Sequence, residues 1–149
     1  MRTVVQRVSE ARVVVDEQIV GKIKKGLVVL LGIAPNDGAS EVKWMTEKLC
    51  NLRIFNDNEG KMNLSLLDVG GEMLVISQFT LFGNCKKGRR PNFMAAAKPE
   101  LAEPLFNSCV KAFRNKGIKV ETGIFGANMQ LSLCNDGPVT LIIESNAKQ

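Results

Sequence analysis

Alternating apolar and polar residues, at both ends of the chain and in its middle, constrain the fold most. In residues 3–15 (TVVQRVSEARVVV) apolar side chains alternate with polar ones for most of the run, which is typical of strands with one buried face. The polar pair Ser9–Glu10 interrupts the run, so we expect two strands that meet there. Residues 72–82 (EMLVISQFTLF) are the candidate for a central strand. Other strands are predicted at residues 18–26, 27–33, 51–55, 118–122, 129–133 and 139–144.

Two segments follow a helical repeat instead. Apolar residues recur every three or four positions in residues 40–50, where Asp37 or Ser40 could cap the helix, and in residues 100–116. Pro104 either kinks the first turn of the second helix or marks the first residue of a later start. Strands with two separated helices predict one α+β domain, residues 1–149, built on a largely antiparallel sheet.

The composition removes several kinds of chemistry. The chain has no histidine and no tyrosine, so the commonest general base, the Ser–His and Cys–His pairs and the commonest zinc ligand are all missing. Its four cysteines are widely scattered, with no C-x-x-C pair, so we expect reduced thiols and no metal site. An enzyme made from this chain must therefore use carboxylates, lysine, backbone groups or its own substrate.

We expect a soluble, cytoplasmic protein that does not bind membranes. The first fifteen residues are broken by charges, unlike a signal peptide. The most apolar run, residues 26–34 (GLVVLLGIA), is far shorter than the roughly 20 residues that span a bilayer.

The positive charge is local. The net charge is +5, and without the four cations of residues 84–90 (NCKKGRR) the other 145 residues carry only +1. This distribution suits a loop that contacts phosphates, although short basic runs are also common on solvated loops. The four side chains are Lys86, Lys87, Arg89 and Arg90.

Residues 77–82 (SQFTLF) are the first candidate site. They could be only a strand end with alternating polar residues. Alternatively, backbone N–H groups that come free at a strand terminus could face an anionic transition state. Thr80 could be proposed as a nucleophile, but the sequence offers it neither histidine nor an adjacent carboxylate as a base, which argues against a covalent mechanism.

Two glycine-containing segments in the last third are ambiguous when taken alone. Residues 135–140 (NDGPVT) resemble a hairpin turn between two strands, yet Pro138 removes an N–H where the second strand should begin to pair. A cis bond there would reorient the carbonyl of Gly137, and the glycine would allow a ligand or another chain to approach closely. Residues 123–129 (GIFGANM) could be a loop with buried apolar anchors or a stacking surface for a base.

Taken together, these segments resemble the D-aminoacyl-tRNA deacylase family over essentially the whole chain. The resemblance rests on six segments in order: VVQRV, NLRIF…GKMNLSLLDVGGE, SQFTL, KGRRPNF, ETGIFGANM and NDGPVT. Each segment is weak alone, but six at compatible spacing are specific. The departure that we note is Phe82, where the family often carries tyrosine, and this change is conservative.

The resemblance implies a homodimer with a barrel-like core that hydrolyses the ester between a D-amino acid, or glycine, and the terminal adenosine of tRNA. It implies no metal or other cofactor, and no membrane or DNA partner. The backbone around Ser77, Gln78, Phe79 and Thr80 would form the catalytic floor, assisted by the 2′-hydroxyl of the substrate. The basic loop would meet tRNA phosphates.

By the same resemblance, specificity would depend on a Gly-cisPro pair, which matches Gly137–Pro138. This pair would enter the partner's active site and block L-amino acids with rigid backbone carbonyls, and Arg7 would hold it in place. Phe125 and Met129 match the strip that lines the adenine pocket.

Two rival functions remain at this stage. A non-catalytic RNA-binding module would need only the basic loop and Phe125. A small-ester hydrolase with a cysteine nucleophile is disfavoured by the missing histidine. Turnover of D-aminoacyl-tRNA, and insensitivity to thiol alkylation, would separate these functions from the deacylase.

Overall fold

The computed structural model describes residues 1–145, in which six strands form one sheet and two short strands form another. The main sheet contains β1 (Arg2–Val15), β2 (Gln18–Ile23), β3 (Gly26–Gly32), β6 (Glu72–Ser77), β7 (Val120–Thr122) and β8 (Gln130–Glu144). The short pair consists of β4 (Phe55–Asn56) and β5 (Met62–Leu64). The helices are α1 (Ala39–Asn51), α2 (Leu66–Val69), α3 (Pro99–Asn115) and a 3₁₀ helix (Phe79–Phe82).

The main sheet is mixed and strongly curved. Its order is β2–β1–β3–β6–β7, with β8 on the other side of β1. β1 runs antiparallel to β2, β3 and β8, whereas β6 runs parallel to both β3 and β7. The two ends of this order approach each other, because a Cβ on Gly21 of β2 would lie 2.7 Å from the carbonyl oxygen of Thr122 on β7. The α+β fold with a barrel-like core is therefore confirmed.

The sheet is less antiparallel than its strand patterns suggested, because helices connect the later strands. The segment between β3 and β6 includes α1 and α2, and the one between β6 and β7 includes α3. Such crossovers allow neighbouring strands to run parallel.

Two clusters of buried side chains lie on opposite faces of the sheet. One fills the space between the sheet and helices α1 and α3, and the other fills the inside of the curved sheet. Adjacent residues of β3 point into different clusters: Leu27 and Val29 into the first and Val28 into the second. Burial on both faces explains why this strand is almost continuously apolar.

The prediction of two strands meeting near Ser9–Glu10 is wrong, because β1 is one strand with a bulge. Against β8, Val8 pairs with Asn135 and Glu10 with Cys134, so two steps on β1 match one step on β8. A bulge of this kind shifts the alternation by one residue. An interrupted pattern in sequence therefore reflects a bulge here and not a chain reversal.

The prediction of one strand across residues 72–82 is also wrong. β6 ends at Ser77, and after the Gln78 N–H donates to the carbonyl of Leu31 (2.9 Å) the chain turns into the 3₁₀ helix. The neighbouring strand β3 ends at Gly32, so the residues beyond Gln78 have no ladder partner on that side.

Residues 135–140 do not form the hairpin turn that their composition suggests. Asn135 pairs with Val8 and Thr140 with Gln6, so both halves of β8 run in one direction along β1. Four residues of β8, Asp136 to Val139, lie opposite Arg7 alone and form a four-residue bulge. This bulge contains a cis Gly137–Pro138 bond.

The helices depart from the prediction in their ends. Neither Asp37 nor Ser40 caps α1, since Gly38 occupies that position and its N–H donates to the Glu41 carboxylate at 2.9 Å. Helix α3 begins at Pro99 and contains Pro104, so the later start at Pro104 is wrong.

Three further elements differ from those predicted from the sequence. The strand predicted at residues 51–55 shrinks to β4, and the short helix α2 was not anticipated. Strand β7 covers only the last three residues of the predicted segment 118–122.

No helix within residues 1–145 is long and apolar enough to cross a membrane.

Candidate active site

A pocket of about 110 Å³ opens where β6 gives way to the 3₁₀ helix. It is lined by residues from the strand ends, the 3₁₀ helix, α3 and the loop at 123–129: Leu31, Ile33, Ser77, Gln78, Phe79, Ala97, Ala102, Phe106, Phe125, Gly126, Ala127 and Met129. The structure thus brings together two groups of predicted site residues that lie far apart in sequence. A larger groove between α1 and α3, of about 380 Å³, contains none of them.

Two backbone donors remain free beside this pocket. The Gln78 N–H is used by the carbonyl of Leu31, and the next amides in the 3₁₀ helix, those of Phe79 and Thr80, have no acceptor within residues 1–145. Since backbone N–H groups are rarely left unpaired, two adjacent free ones at a pocket are suited to hold an oxyanion. Among the residues of the predicted catalytic floor, Phe79 and Thr80 are therefore the candidate oxyanion donors.

The Thr80 side chain lies outside the pocket lining and is exposed. Its hydroxyl oxygen accepts a hydrogen bond from the side-chain amide of Gln78. No ionisable side chain bonds to this hydroxyl within the described part of the chain. The geometry suits an orienting role better than a nucleophilic one.

Two residues that the sequence did not single out fix the 3₁₀ helix. Arg2 donates to the carbonyl of Leu81 at 2.8 Å, and its guanidinium lies 5.0 Å from the centre of the Phe82 ring. A Cβ at Gly32 would lie 3.0 Å from the Gln78 carbonyl oxygen, so only glycine fits there without displacing the floor. No local pattern identifies either residue, because both contacts join distant parts of the chain.

The loop at 123–129 is ordered by a tight turn. The Ala127 N–H donates to the Ile124 carbonyl at 3.1 Å, and Gly126 adopts φ +76°. Phe125 packs against Phe106 of α3, with ring centres 6.0 Å apart. The Phe125 ring thus forms one wall of the pocket while it is anchored to the core.

The bulge of β8 is held from both sides. Arg7, only 7% exposed, donates to the Asp136 carbonyl at 3.0 Å and to the Ile54 carbonyl at 2.8 Å. On the other side, the side-chain oxygen Oδ1 of Asn135 accepts from the Val139 N–H at 3.1 Å, and the side-chain Nδ2 of Asn135 donates to the Thr140 hydroxyl at 2.8 Å.

Gly137 and Pro138 themselves are exposed. Gly137 adopts φ +130°, and a Cβ there would lie 3.0 Å from the Arg7 guanidinium. Arg7 was expected at this place, but the bracing role of Asn135 was not.

The bulge and the pocket are well separated within one chain. Arg7, opposite the bulge, is level with Leu27 on β3 and Met73 on β6, and Ser77 lies four residues beyond Met73. Three strand spacings and four residues along a strand amount to a separation on the order of 15–20 Å. The structure therefore does not bring Gly137 to the pocket of its own chain.

The four cations of the basic loop are exposed and lie in one hairpin. Paired backbone hydrogen bonds between Asn84 and Asn92, of 2.8 and 3.0 Å, close the loop. Within residues 1–145 no acidic side chain pairs with Lys86, Lys87, Arg89 or Arg90. An unpaired basic loop next to the 3₁₀ helix is suited to contact phosphates.

Comparisons with known proteins identify the family. The sequence profile of the family D-Tyr-tRNA(Tyr) deacylase matches residues 4–144. The chain belongs to this family. A protein named D-aminoacyl-tRNA deacylase from Desulfatibacillum aliphaticivorans is 61% identical over 145 residues, which cover 97% of this chain and 99% of the relative. The resemblance inferred from the six sequence segments is thus confirmed.

Solved structures agree with the fold of this deacylase-family chain. The structure of the c-Myc DNA Unwinding Element Binding Protein superposes with a TM-score of 0.92 at 41% identity, covering 99% of this chain and 100% of the other. A probable eukaryotic D-amino acid tRNA deacylase has a TM-score of 0.82 at 19% identity, covering 95% and 97% of the two chains. At that low identity the second likeness concerns the fold alone.

The cysteines of this deacylase-family protein are free thiols, and two of them are poor nucleophiles. Burial raises the pKa of Cys50 to about 11 and that of Cys109 to about 12, so both stay protonated near neutral pH. Cys85 and Cys134 are exposed, and neither lines the pocket. In the part of the chain that the structure describes, no three His, Cys, Asp or Glu side chains form a cluster that could hold a metal ion.

Proposed function

We propose that this protein hydrolyses D-aminoacyl-tRNA, and mischarged glycyl-tRNA, to free amino acid and tRNA in the cytoplasm. The observation that carries the proposal is the pocket beside the free amides of Phe79 and Thr80, in a chain whose relatives are named D-aminoacyl-tRNA deacylase. An ester needs less activation than an amide, so oriented water and a stabilised oxyanion suffice without a metal.

In the proposed reaction, water attacks the carbonyl carbon of the ester and the negative charge forms on the carbonyl oxygen. The Phe79 and Thr80 amides donate to that oxygen, and each such donor is worth roughly 10²–10³ in rate. The intermediate then expels the 3′-oxygen of the terminal adenosine, which takes up a proton. The 2′-hydroxyl of the same ribose relays protons, since the chain has no histidine to do so. Ser77 and Gln78 shape the floor below the ester.

The remainder of the tRNA end is bound by the walls and the basic loop. Phe125 and Met129 line the pocket and offer apolar surface to the terminal adenine. The unpaired Lys86, Lys87, Arg89 and Arg90 attract the phosphates that precede it.

Chirality is selected by exclusion in this proposal. D- and L-amino acids carry the same groups, so discrimination requires a rigid obstacle at the position of an L side chain. The exposed Gly137–Pro138 segment is such an obstacle, because Arg7 and Asn135 fix the backbone on both sides of it. Its carbonyls leave room for the hydrogen of glycine or of a D residue.

The obstacle must come from a second subunit. The bulge lies on the order of 15–20 Å from the pocket of its own chain. The pocket, at about 110 Å³, is also smaller than the roughly 300–1,000 Å³ of typical ligand sites, which suits a site completed by a partner. Strand β8 pairs only with β1 in the described sheet and exposes Leu141 and Ile142, at 36% and 71%, as a surface for that partner. We therefore infer a homodimer.

One turnover assay tests the function. Substoichiometric protein should release label from D-aminoacyl-tRNA over many turnovers, release it from glycyl-tRNA, and spare L-aminoacyl-tRNA. Pretreatment with a thiol-alkylating reagent should leave the rate unchanged. Tight tRNA binding without turnover would instead establish a non-catalytic RNA-binding module, and inactivation by alkylation would restore the cysteine mechanism.

A further inference from the structure

Two exposed aromatic side chains, those of Phe79 and Phe93, meet beside the pocket, and the exposed Met94 follows Phe93 in the chain. Phe79 is 57% exposed, Phe93 is 37% exposed and Met94 is 86% exposed. The rings of Phe79 and Phe93 meet edge to face, with centres 5.3 Å apart and planes at 75°. We call Phe79, Phe93 and Met94 the aromatic platform. Because exposed apolar clusters are unfavourable in water, such a cluster next to a binding pocket points to a ligand.

The aromatic platform lies between the pocket and the basic loop. Phe79 lines the pocket, whereas Phe93 directly follows Asn92, which closes the basic loop by pairing with Asn84. A chain that enters the pocket with one end and places its phosphates on the basic loop must therefore cross the platform.

The Phe93 ring is held rigidly in this position. A Cβ at Gly83 would lie 2.9 Å from the ring, so the backbone that directly follows the 3₁₀ helix packs against its edge. The Asn92 side chain accepts from the Met94 N–H at 2.8 Å, and the Phe93 carbonyl accepts from the Ala96 N–H at 3.0 Å. A fixed ring loses little entropy when another flat group stacks on it.

We propose that the aromatic platform is a second nucleotide subsite, on which the unpaired base preceding the terminal adenosine stacks. This inference rests on the proposed function, which places the terminal adenosine in the pocket. Base stacking on aromatic side chains is tolerant of sequence and needs a ring with one face exposed. The four neighbouring cations favour a polyanion over an uncharged apolar partner. The subsite would therefore favour substrates with a single-stranded 3′ extension over substrates that lack one.

The test measures kcat and KM of the wild type and of Phe93→Leu on two substrates. The Phe93→Leu variant keeps an apolar side chain but removes the ring. For D-aminoacyl-tRNA, the variant should raise KM about fivefold or more with kcat unchanged, as expected for the loss of one base–aromatic stack. For D-aminoacyl-adenosine, which has no preceding nucleotide, KM should not change. Phe93→Tyr should restore the wild-type KM, and Met62→Ser, at an exposed methionine on β5, is the matched control.

A tRNA with an abasic residue before the terminal adenosine tests the contact directly. The KM of the wild type should be about fivefold higher for this substrate than for intact D-aminoacyl-tRNA. The KM of Phe93→Leu should be the same for the abasic and the intact substrate, because this variant already lacks the ring on which the base would stack. Full additivity of the two losses would overturn the proposal.

Other outcomes also decide the matter. If Phe93→Leu raises KM equally for both substrates, the ring only supports the pocket. If the variant becomes monomeric in sedimentation, the platform is a subunit contact. If the wild type hydrolyses neither substrate, the proposed function fails, and the platform is judged by binding of a CCA oligonucleotide, which Phe93→Leu must still weaken about fivefold.

Discussion

At the scale of single residues, we propose that backbone groups supply the chemistry for which other enzymes use side chains. The chain contains no histidine, and its buried Cys50 and Cys109 have pKa values near 11 and 12. What the pocket offers instead are the amides of Phe79 and Thr80. The Thr80 side chain does not face the pocket, and its hydroxyl accepts a hydrogen bond from the Gln78 side chain.

Thr80→Ala should therefore keep substantial deacylase activity. It removes one neutral hydrogen bond, whose net worth is about 0.5–1.5 kcal/mol, so kcat should fall by no more than about tenfold. The measurement is single-turnover hydrolysis of D-aminoacyl-tRNA, with Thr80→Ser as the control that retains the hydroxyl. A nucleophile is worth on the order of 10⁶ in kcat, so activity at background level in Thr80→Ala would reinstate the covalent mechanism.

At the scale of elements, both irregularities in the long strands were misjudged for the same reason. The break at Ser9–Glu10 and the segment 135–140 interrupt the alternation, and each was expected to end a strand. In the structure each is a bulge between β1 and β8. Local periodicity reports that pairing is interrupted, but only the position of the opposite strand decides whether the chain reverses or continues.

Helix α3 contains a proline, Pro104, that lowers its stability. Pro104 is the sixth residue of the helix and is exposed, so it lacks the N–H that would donate to the Glu100 carbonyl. Pro104→Ala should raise the free energy of unfolding by about 1–2 kcal/mol, less than the full cost of about 3 kcal/mol because alanine also loosens the unfolded chain.

Urea denaturation measures this change. Pro99→Ala is the matched control, because Pro99 is the first helical residue, where no N–H is needed, and it should change stability little. Equal effects of the two substitutions would contradict this explanation.

At the scale of the whole molecule, the pocket is assembled from segments that meet only in the folded sheet. Leu31, Ser77, Phe106 and Phe125 come from four different elements or loops. The bulge at Gly137 remains outside this assembly within one chain. In the proposed homodimer, the pocket and the bulge that excludes L-amino acids therefore belong to different subunits.

Mixed dimers test this separation. Asn135→Ala, which frees one side of the bulge, should make the homodimer hydrolyse L-aminoacyl-tRNA measurably. Ala127→Trp should fill the pocket and abolish activity. In a heterodimer of the two variants, the open pocket faces an intact bulge, so rejection of the L substrate should return. Continued hydrolysis of L-aminoacyl-tRNA by the purified heterodimer would place the gate in the same chain as the pocket.

Acid should destabilise the fold through its hydrogen-bonded carboxylates. The Asn63 amide lowers the pKa of Asp57 below its usual 3.8, the Ser65 N–H lowers that of Asp68, and the Lys24 N–H lowers that of Glu72 below 4.5. A pKa that is lower in the folded state than in the unfolded state gives stability above the unfolded pKa, which is lost as pH falls through the folded value. The melting temperature should thus decrease as pH drops below about 4.5.

Thermal unfolding followed by circular dichroism between pH 6 and pH 3 measures this dependence. Glu72→Gln removes one of the responsible groups, so its melting temperature should fall less steeply with acid than that of the wild type. A melting temperature that rises on acidification would contradict the assigned direction of these pKa values.

The sequence by itself determined the fold class, the two main helices, the family and five of the residues that line the pocket: Ser77, Gln78, Phe79, Phe125 and Met129. These follow from local periodicity and from short segments whose spacing is specific. Only the tertiary structure decided that β6 ends at Ser77, which amides stay free, and that residues 135–140 bulge beside Arg7. The reason is that a backbone N–H is free or paired, and a strand straight or bulged, according to the neighbouring strand, which can lie a hundred or more residues away in sequence.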